Sequence, residues 1–131
     1  MPLNPRKLLS VAHDILHFNQ ANEEHYRSAS GRAYYCAFHE CSAVAISQLQ
    51  IAPQNNPNFG HKELFNVFLN HQPTLKVLTS RDRDINYIGY LLKQTRDLRV
   101  HADYKVSSFS KQQAMDSIKN TEEILNLIQK L

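Results

Sequence analysis

The sequence predicts an all-α fold, an up-and-down bundle of four long helices plus short ones, and three observations carry that expectation. Apolar residues recur at three- and four-residue steps in four separate segments. Most of those segments open on a side chain able to cap a helix. No stretch of useful length alternates apolar and polar residues as a half-buried strand does, and no internal repeat is visible. At 131 residues the chain is the size of one domain, spanning 1–131, with enough sequence to bury a core of its own. With only three glycines and 42% hydrophobic residues the composition is that of a globular protein and excludes fibrous or disordered classes.

The elements follow in order. Asn4 caps and Pro5 begins a first helix, with Leu8, Val11, Ala12, Ile15 and Leu16 as one apolar stripe through about Phe18. Asn19 to Asn22 breaks it, and Asn22 caps a second helix over Glu23 to Gln50. Ala29, Ala33, Ala37 and Cys41 stand four apart on that helix. They form a small-residue ridge that lets a neighbour approach closely, with Tyr34, Phe38 and Ala45 as flanking bulk. Ala52 to Gly60 is a loop with two prolines and three asparagines. His61 to Phe68 is a short helix burying Leu64, Phe65 and Phe68. Pro73 starts a further turn or two that points Leu75 and Leu78 inward.

Thr79 and Asp82 make a capping box for a helix from about Arg81, whose core stripe is Ile85, Ile88, Leu92, Thr95 and Leu98. The stripe ends near Ala102–Asp103, where no glycine supplies a stop. Ser107 to Ser110 is a loop. Ser110 with Gln113 caps the last helix, and Phe109 with Ala114 makes a hydrophobic staple. Ala114, Ile118, Thr121, Leu125 and Ile128 then form the final stripe, with Ile124 and Leu131 adding bulk.

Net charge is +3, with seven histidines besides; the bias suits a nucleic-acid partner without establishing one. Cys36 and Cys41 lie five apart in one helix, about 140° around its axis, so they do not bridge each other. Free cysteines, no signal-peptide pattern and no bilayer-length apolar run give the expectation of a cytoplasmic protein without a membrane partner. Cys36, His39 and Glu40 share one turn, which rarely closes a metal site alone, so no metal or other cofactor is expected.

Chemistry concentrates in Arg96-Asp97-Leu98-Arg99-Val100-His101-Ala102-Asp103-Tyr104. An arginine holds phosphate bidentately and a histidine titrates near neutral pH. Together they are the smallest set able to cleave a phosphodiester without metal. Arg96 falls about 200° from Leu98 and so points away from the core stripe. Asp97 and His101 are four apart, which places Asp97 to orient the imidazole or simply to solvate the helix end. Arg99 and Asp103, also four apart, are set to pair. The bland alternative is a helix end that gathers solvated charge.

Arg27-Ser28-Ala29-Ser30-Gly31-Arg32-Ala33-Tyr34-Tyr35-Cys36-Ala37-Phe38-His39 resembles the second-helix signature of the HEPN family, the higher-eukaryote and prokaryote nucleotide-binding domain. His61-Lys62 is similar to a histidine-led segment of some members, and Arg99-Val100-His101-Ala102-Asp103-Tyr104 resembles the family's Arg-x-x-Ala-Asp-Tyr element. The resemblance covers nearly the whole chain and implies a HEPN-like bundle. Ribonuclease members carry an arginine, four to six residues, then a histidine, usually with a polar residue after the arginine. Arg96-Asp97-x-x-x-His101 matches that pattern.

The resemblance therefore implies a metal-independent endoribonuclease acting on RNA as a homodimer, in some members the toxin of a toxin–antitoxin or defence system with a small nucleotidyltransferase antitoxin as partner. Arg96, His101 and Asp97 are the candidate catalytic residues, and Arg99 and Tyr104 the candidate substrate-binding ones. In toxin members a tyrosine two residues after the histidine is modified by the partner; here Tyr104 stands three after His101. The rival the family offers is a non-catalytic HEPN module that partners a nucleotidyltransferase or presents RNA. His101 separates the two, because only the ribonuclease needs it.

Overall fold

A computed structural model describes residues 4–49, 61–74 and 76–131. These form five helices: α1 Pro5–Leu16, α2 Glu23–Ser47, α3 His61–Leu69, α4 Ser80–Tyr104 and α5 Lys111–Lys130. No strand occurs among the described residues, so the all-α expectation holds. The Ala52–Gly60 loop, the Gln50 boundary and Leu75 lie outside the described residues.

The caps fall where the sequence puts them. The Asn4 side chain accepts from Arg6 N, with Pro5 at the first helical position. Capping boxes open α4 at Thr79/Asp82 and α5 at Ser110/Gln113. Asn22 opens α2 with a box of its own in which the third-position side chain is His25. Boundaries differ by a turn or less: α1 stops at Leu16 and α2 at Ser47.

Helix α2 is the centre of the bundle and packs on all four of the others. Ala29, Ala33, Ala37 and Cys41 are all fully buried, so the small-residue ridge faces inward as its spacing requires. Close approach there is used by polar atoms as well as carbon. Ser30 Oγ and Ser117 Oγ share a 2.7 Å hydrogen bond, and Thr121 Oγ1 donates to the Ala33 carbonyl at 3.0 Å, tying α2 to α5.

One apolar cluster joins α2, α3, α4 and α5 around Tyr34, Phe68, Ile88 and Ile124. A second joins α1 to the α4–α5 turn through Ala12, Leu16, Ala29, Ala102, Phe109 and Ile118. Phe109 and Ala114 both lie in it, as the predicted staple requires. The cysteines are free and buried; burial pushes the Cys36 thiol up to about 11 and that of Cys41 higher still.

Three local expectations fail. Val11 is 37% exposed because α1 turns Ala12 and Leu16 inward, with Leu9 and Ile15 beside them, putting Val11 on the outer edge. No helical turn follows Pro73 among the described residues, and Leu78 is 43% exposed. The polypeptide there is tied by side chains: Asn86 Nδ2 donates to the carbonyls of Phe68 (2.9 Å), Leu69 and His71 (both 3.3 Å), and His71 Nε2 reaches Asp82 Oδ1 at 2.8 Å. Those bonds satisfy the end of α3 without a further helix. Leu98 is half-buried, so the α4 stripe loosens one turn before the helix ends.

Among the described residues no helix is long and apolar enough to cross a membrane.

Candidate functional site

The charged end of α4 is sorted onto separate faces. Arg96 and His101, five residues apart, stand about 140° apart around the axis and about 7.5 Å apart along it. One protomer does not bring them together: each is held by a different part of the bundle.

The Arg96 and Arg99 side looks towards α2 and α3. Arg99 is 12% exposed at its side chain; its Nη2 donates to Tyr35 Oη at 2.9 Å. The Asp103 carboxylate lies 2.9 Å from Arg99 Nε but out of line with its N–H, so charge holds that pair. The guanidinium also sits 5.3 Å from the Tyr35 ring centre, 5.5 Å from Tyr104 and 6.0 Å from Tyr34. Arg99, the candidate substrate-binding residue, thus also bridges α4 to α2. The predicted Arg99–Asp103 pair is present.

Beneath it, Tyr34 Oη and His61 Nδ1 are 2.6 Å apart, joining α2 to the first residue of α3. Burial first, then Arg99 and Arg96, lowers the His61 pKa and favours neutral imidazole. Burial likewise pushes the Tyr34 phenol above its usual range. Arg96 is 25% exposed at its side chain, its Nε is shielded without a hydrogen bond, and Nη1 lies 3.6 Å from Asp97 Oδ1.

His101 lies on the α5 side. With Gln94, Asp97, Leu98, Asp116 and Asn120 it lines an open groove between α4 and α5. Its Nε2 is 3.1 Å from the Ser108 carbonyl and 3.2 Å from Ser107 Oγ, and its ring meets Phe109 edge-on at 5.4 Å. Asp97 shares the groove, but its carboxylate pairs with Lys93 at 3.3 Å and with Arg96; no hydrogen bond joins it to His101 among the described residues. Tyr104, the last residue of α4, is 68% exposed.

Between Arg96 and His101 runs the outer arc of α4. Helical rotation places Val100, Lys93, Tyr104, Asp97 and Tyr90 in that order across it. Tyr90 (49%) and Tyr104 (68%) are largely in solvent, and Tyr90 stacks on Tyr87 with ring centres 6.1 Å apart.

Sequence reasoning missed the part of the site contributed by α2. Arg27 Nη1 donates to the carbonyls of His101 (3.2 Å), Ala102 (2.8 Å) and Lys105 (2.8 Å), and Nη2 to that of Ser107 (2.6 Å). Its partner Glu23 accepts from Arg27 Nη2 at 3.0 Å and from the Phe109 amide at 2.6 Å. The Phe109 amide and then Arg27 lower the Glu23 pKa. This arginine is what ends α4. It supplies donors and positive charge to a helix C-terminus that has no glycine.

Cys36, His39 and Glu40 do not gather: Cys36 is buried and Glu40 lies 3.5 Å from Arg6 Nε. Among the described residues no three His, Cys, Asp or Glu side chains are placed to hold a metal ion. No protein-family model, curated protein or solved structure matches the chain.

Proposed function

We propose that this chain is a HEPN-type, metal-independent endoribonuclease whose site is completed by a second copy of itself. The observation that carries the reading is that Arg96 and His101 bracket one exposed, aromatic-bearing arc of α4. Two copies crossing antiparallel along that arc, with the two-fold axis near residues 98–99, set each Arg96 opposite the second copy's His101. The distance along the axis between the two such pairs is only about 7.5 Å. The two histidines then stand on one edge of the contact and the two arginines on the other, all four within one helical turn of the two-fold axis.

Cleavage without metal needs that number of groups. One His101 takes the proton of the RNA 2′-hydroxyl as its oxygen bonds to phosphorus. The other gives a proton to the 5′-oxygen as its bond to phosphorus breaks, leaving a cyclic phosphate. The two Arg96 guanidiniums hold the phosphoryl oxygens and spread their growing charge. Asp97, paired with both Arg96 and Lys93, bridges those cations in the free protein.

The test is cleavage of a labelled single-stranded RNA by the purified chain with chelator present. Wild-type protein cuts, and Arg96→Ala and His101→Ala each lose at least about 10²-fold in rate with the helical spectrum unchanged. No cutting by wild type, or undiminished cutting by both variants, leaves the non-catalytic RNA-presenting or nucleotidyltransferase-partner module as the better account.

A further inference from the structure

The Ser108 carbonyl is a hydrogen-bond acceptor only, so the His101 nitrogen 3.1 Å from it must carry a proton. Ser107 Oγ, 3.2 Å from the same nitrogen, then serves as a second acceptor. Neutral His101 is therefore the Nε2–H form, and its lone pair sits on Nδ1. This is the logic by which an acceptor behind a catalytic histidine fixes which nitrogen reacts.

The acceptor belongs to the turn between α4 and α5, which Phe109 anchors in the core and which α2 ties down from outside. Arg27 grips it at Lys105 and Ser107 while gripping the last turn of α4 at His101 and Ala102. Glu23 holds the Phe109 amide and braces Arg27. The Arg27 guanidinium lies 5.8 Å from the Phe109 ring centre, and His101 meets the same ring edge-on. The hydrogen-bond partners of the imidazole thus lie in a turn that Arg27 and Glu23 hold at Lys105, Ser107 and Phe109, on either side of Ser108.

We propose that Arg27, braced by Glu23, is a positioning residue: it folds residues 105–109 over the end of α4 so that the Ser108 carbonyl engages His101 Nε2 and leaves Nδ1 to move protons. The inference rests on the ribonuclease reading for its chemistry. In the cleaving step Nδ1 of one His101 accepts the 2′-hydroxyl proton, and Nδ1–H of the second copy's His101 supplies the proton to the leaving oxygen. Both Nε2 protons stay where they are.

The experiment is heteronuclear NMR of the full chain carrying 15N-labelled histidine, at mildly alkaline pH where free imidazole is neutral, with RNA cleavage measured in parallel. Wild type shows a protonated Nε2 and bare Nδ1 at His101, with the Nε2 proton protected enough from solvent to be observed. Arg27→Ala and Arg27→Lys both lose that proton signal, since lysine keeps the charge but not the forked reach to several carbonyls. Both lose about 10–10²-fold in kcat with KM changed no more than about twofold, as expected for a misplaced proton carrier.

Should Arg27→Ala fail to fold, Glu23→Gln, which retains an acceptor for the Phe109 amide, gives the same changes at smaller amplitude. A wild-type His101 protonated on Nδ1, or variants that keep both the Nε2 proton and kcat, overturns the assignment. Wild type with the expected proton but no cleavage overturns the ribonuclease reading and leaves the positioning of the imidazole standing.

Discussion

Replacing glycine by alanine at two helical positions should change stability in opposite directions, and the packing says why. In a helix interior alanine is favoured over glycine by about 1 kcal/mol. At Gly31 of α2 an added Cβ meets nothing closer than Asp103 Oδ1 at 4.0 Å, so that gain is realised whole. At Gly89 of α4 the same atom sits 2.7 Å from Leu69 N, 2.9 Å from Phe68 Cβ and 3.0 Å from Leu69 Cγ. Comfortable carbon contacts lie near 3.5–4.0 Å, so α3 must be pushed off α4 by about 0.5–1 Å. Two of the obstructing atoms are backbone or Cβ, which no rotamer change moves. The displacement also stretches the Asn86 bonds to the Phe68, Leu69 and His71 carbonyls.

Overpacking of this kind costs about 1–3 kcal/mol, and weakening those hydrogen bonds costs about 0.5–1.5 kcal/mol more. Net of the propensity gain, Gly89→Ala loses about 1–3 kcal/mol. Gly31→Ala gains about 1 kcal/mol at most. For a chain of this size 1 kcal/mol moves the melting temperature by roughly 3–5 °C. Far-UV circular dichroism melts and urea titrations of both variants provide the measurement. Gly89→Ala melting at or above wild type would refute the close α3–α4 contact and the reasoning built on it.

Two further predictions concern the scaffold. Asp82 is depressed from 3.8 to about 2 by the Thr79 backbone N–H, with His71 and the Thr79 hydroxyl adding to it. Because the folded value is the lower one, its stabilisation is complete above pH 4 and lost as pH falls through 2. Asp82→Asn should therefore unfold earlier in urea at pH 7 and lose less stability than wild type between pH 4 and 2. Ala37→Leu forces a larger side chain into the fully buried α2 ridge and should cost about 1–3 kcal/mol; an unchanged melt would place that ridge on the wrong face.

Much of the scaffold could be read from residues near one another in sequence. Capping residues act within three or four positions, so Asn4, Asn22, Thr79 and Ser110 mark their helices directly. The Ala29–Ala33–Ala37–Cys41 spacing marks the tight face of α2 for the same reason. The end of α4 was not legible, because its stop signal is Arg27, 78 residues from the Lys105 carbonyl it binds. The Tyr34–His61 pair and the Ser30–Ser117 bond, with separations of 27 and 87, were hidden likewise. Val11 went wrong because a periodic stripe gives a face and not its width.

The site divides the same way. The motif's residues were visible, but their arrangement depends on packing partners: Tyr35 and Asp103 hold Arg99, and the 105–109 turn holds His101. A pattern of spacing names which side chains share a helix. It does not say which neighbour each will meet.

The central claim is that one catalytic cleft needs His101 from two copies, and subunit mixing tests it most directly. Wild-type and His101→Ala chains are refolded together at constant total concentration, and single-stranded RNA cleavage is measured across the series. If each cleft needs both histidines, activity follows the square of the wild-type fraction, so an equal mixture cuts at about one quarter of the wild-type rate. A linear fall, with about half the rate at equal mixture, would contradict the shared cleft and return the chemistry to a single protomer.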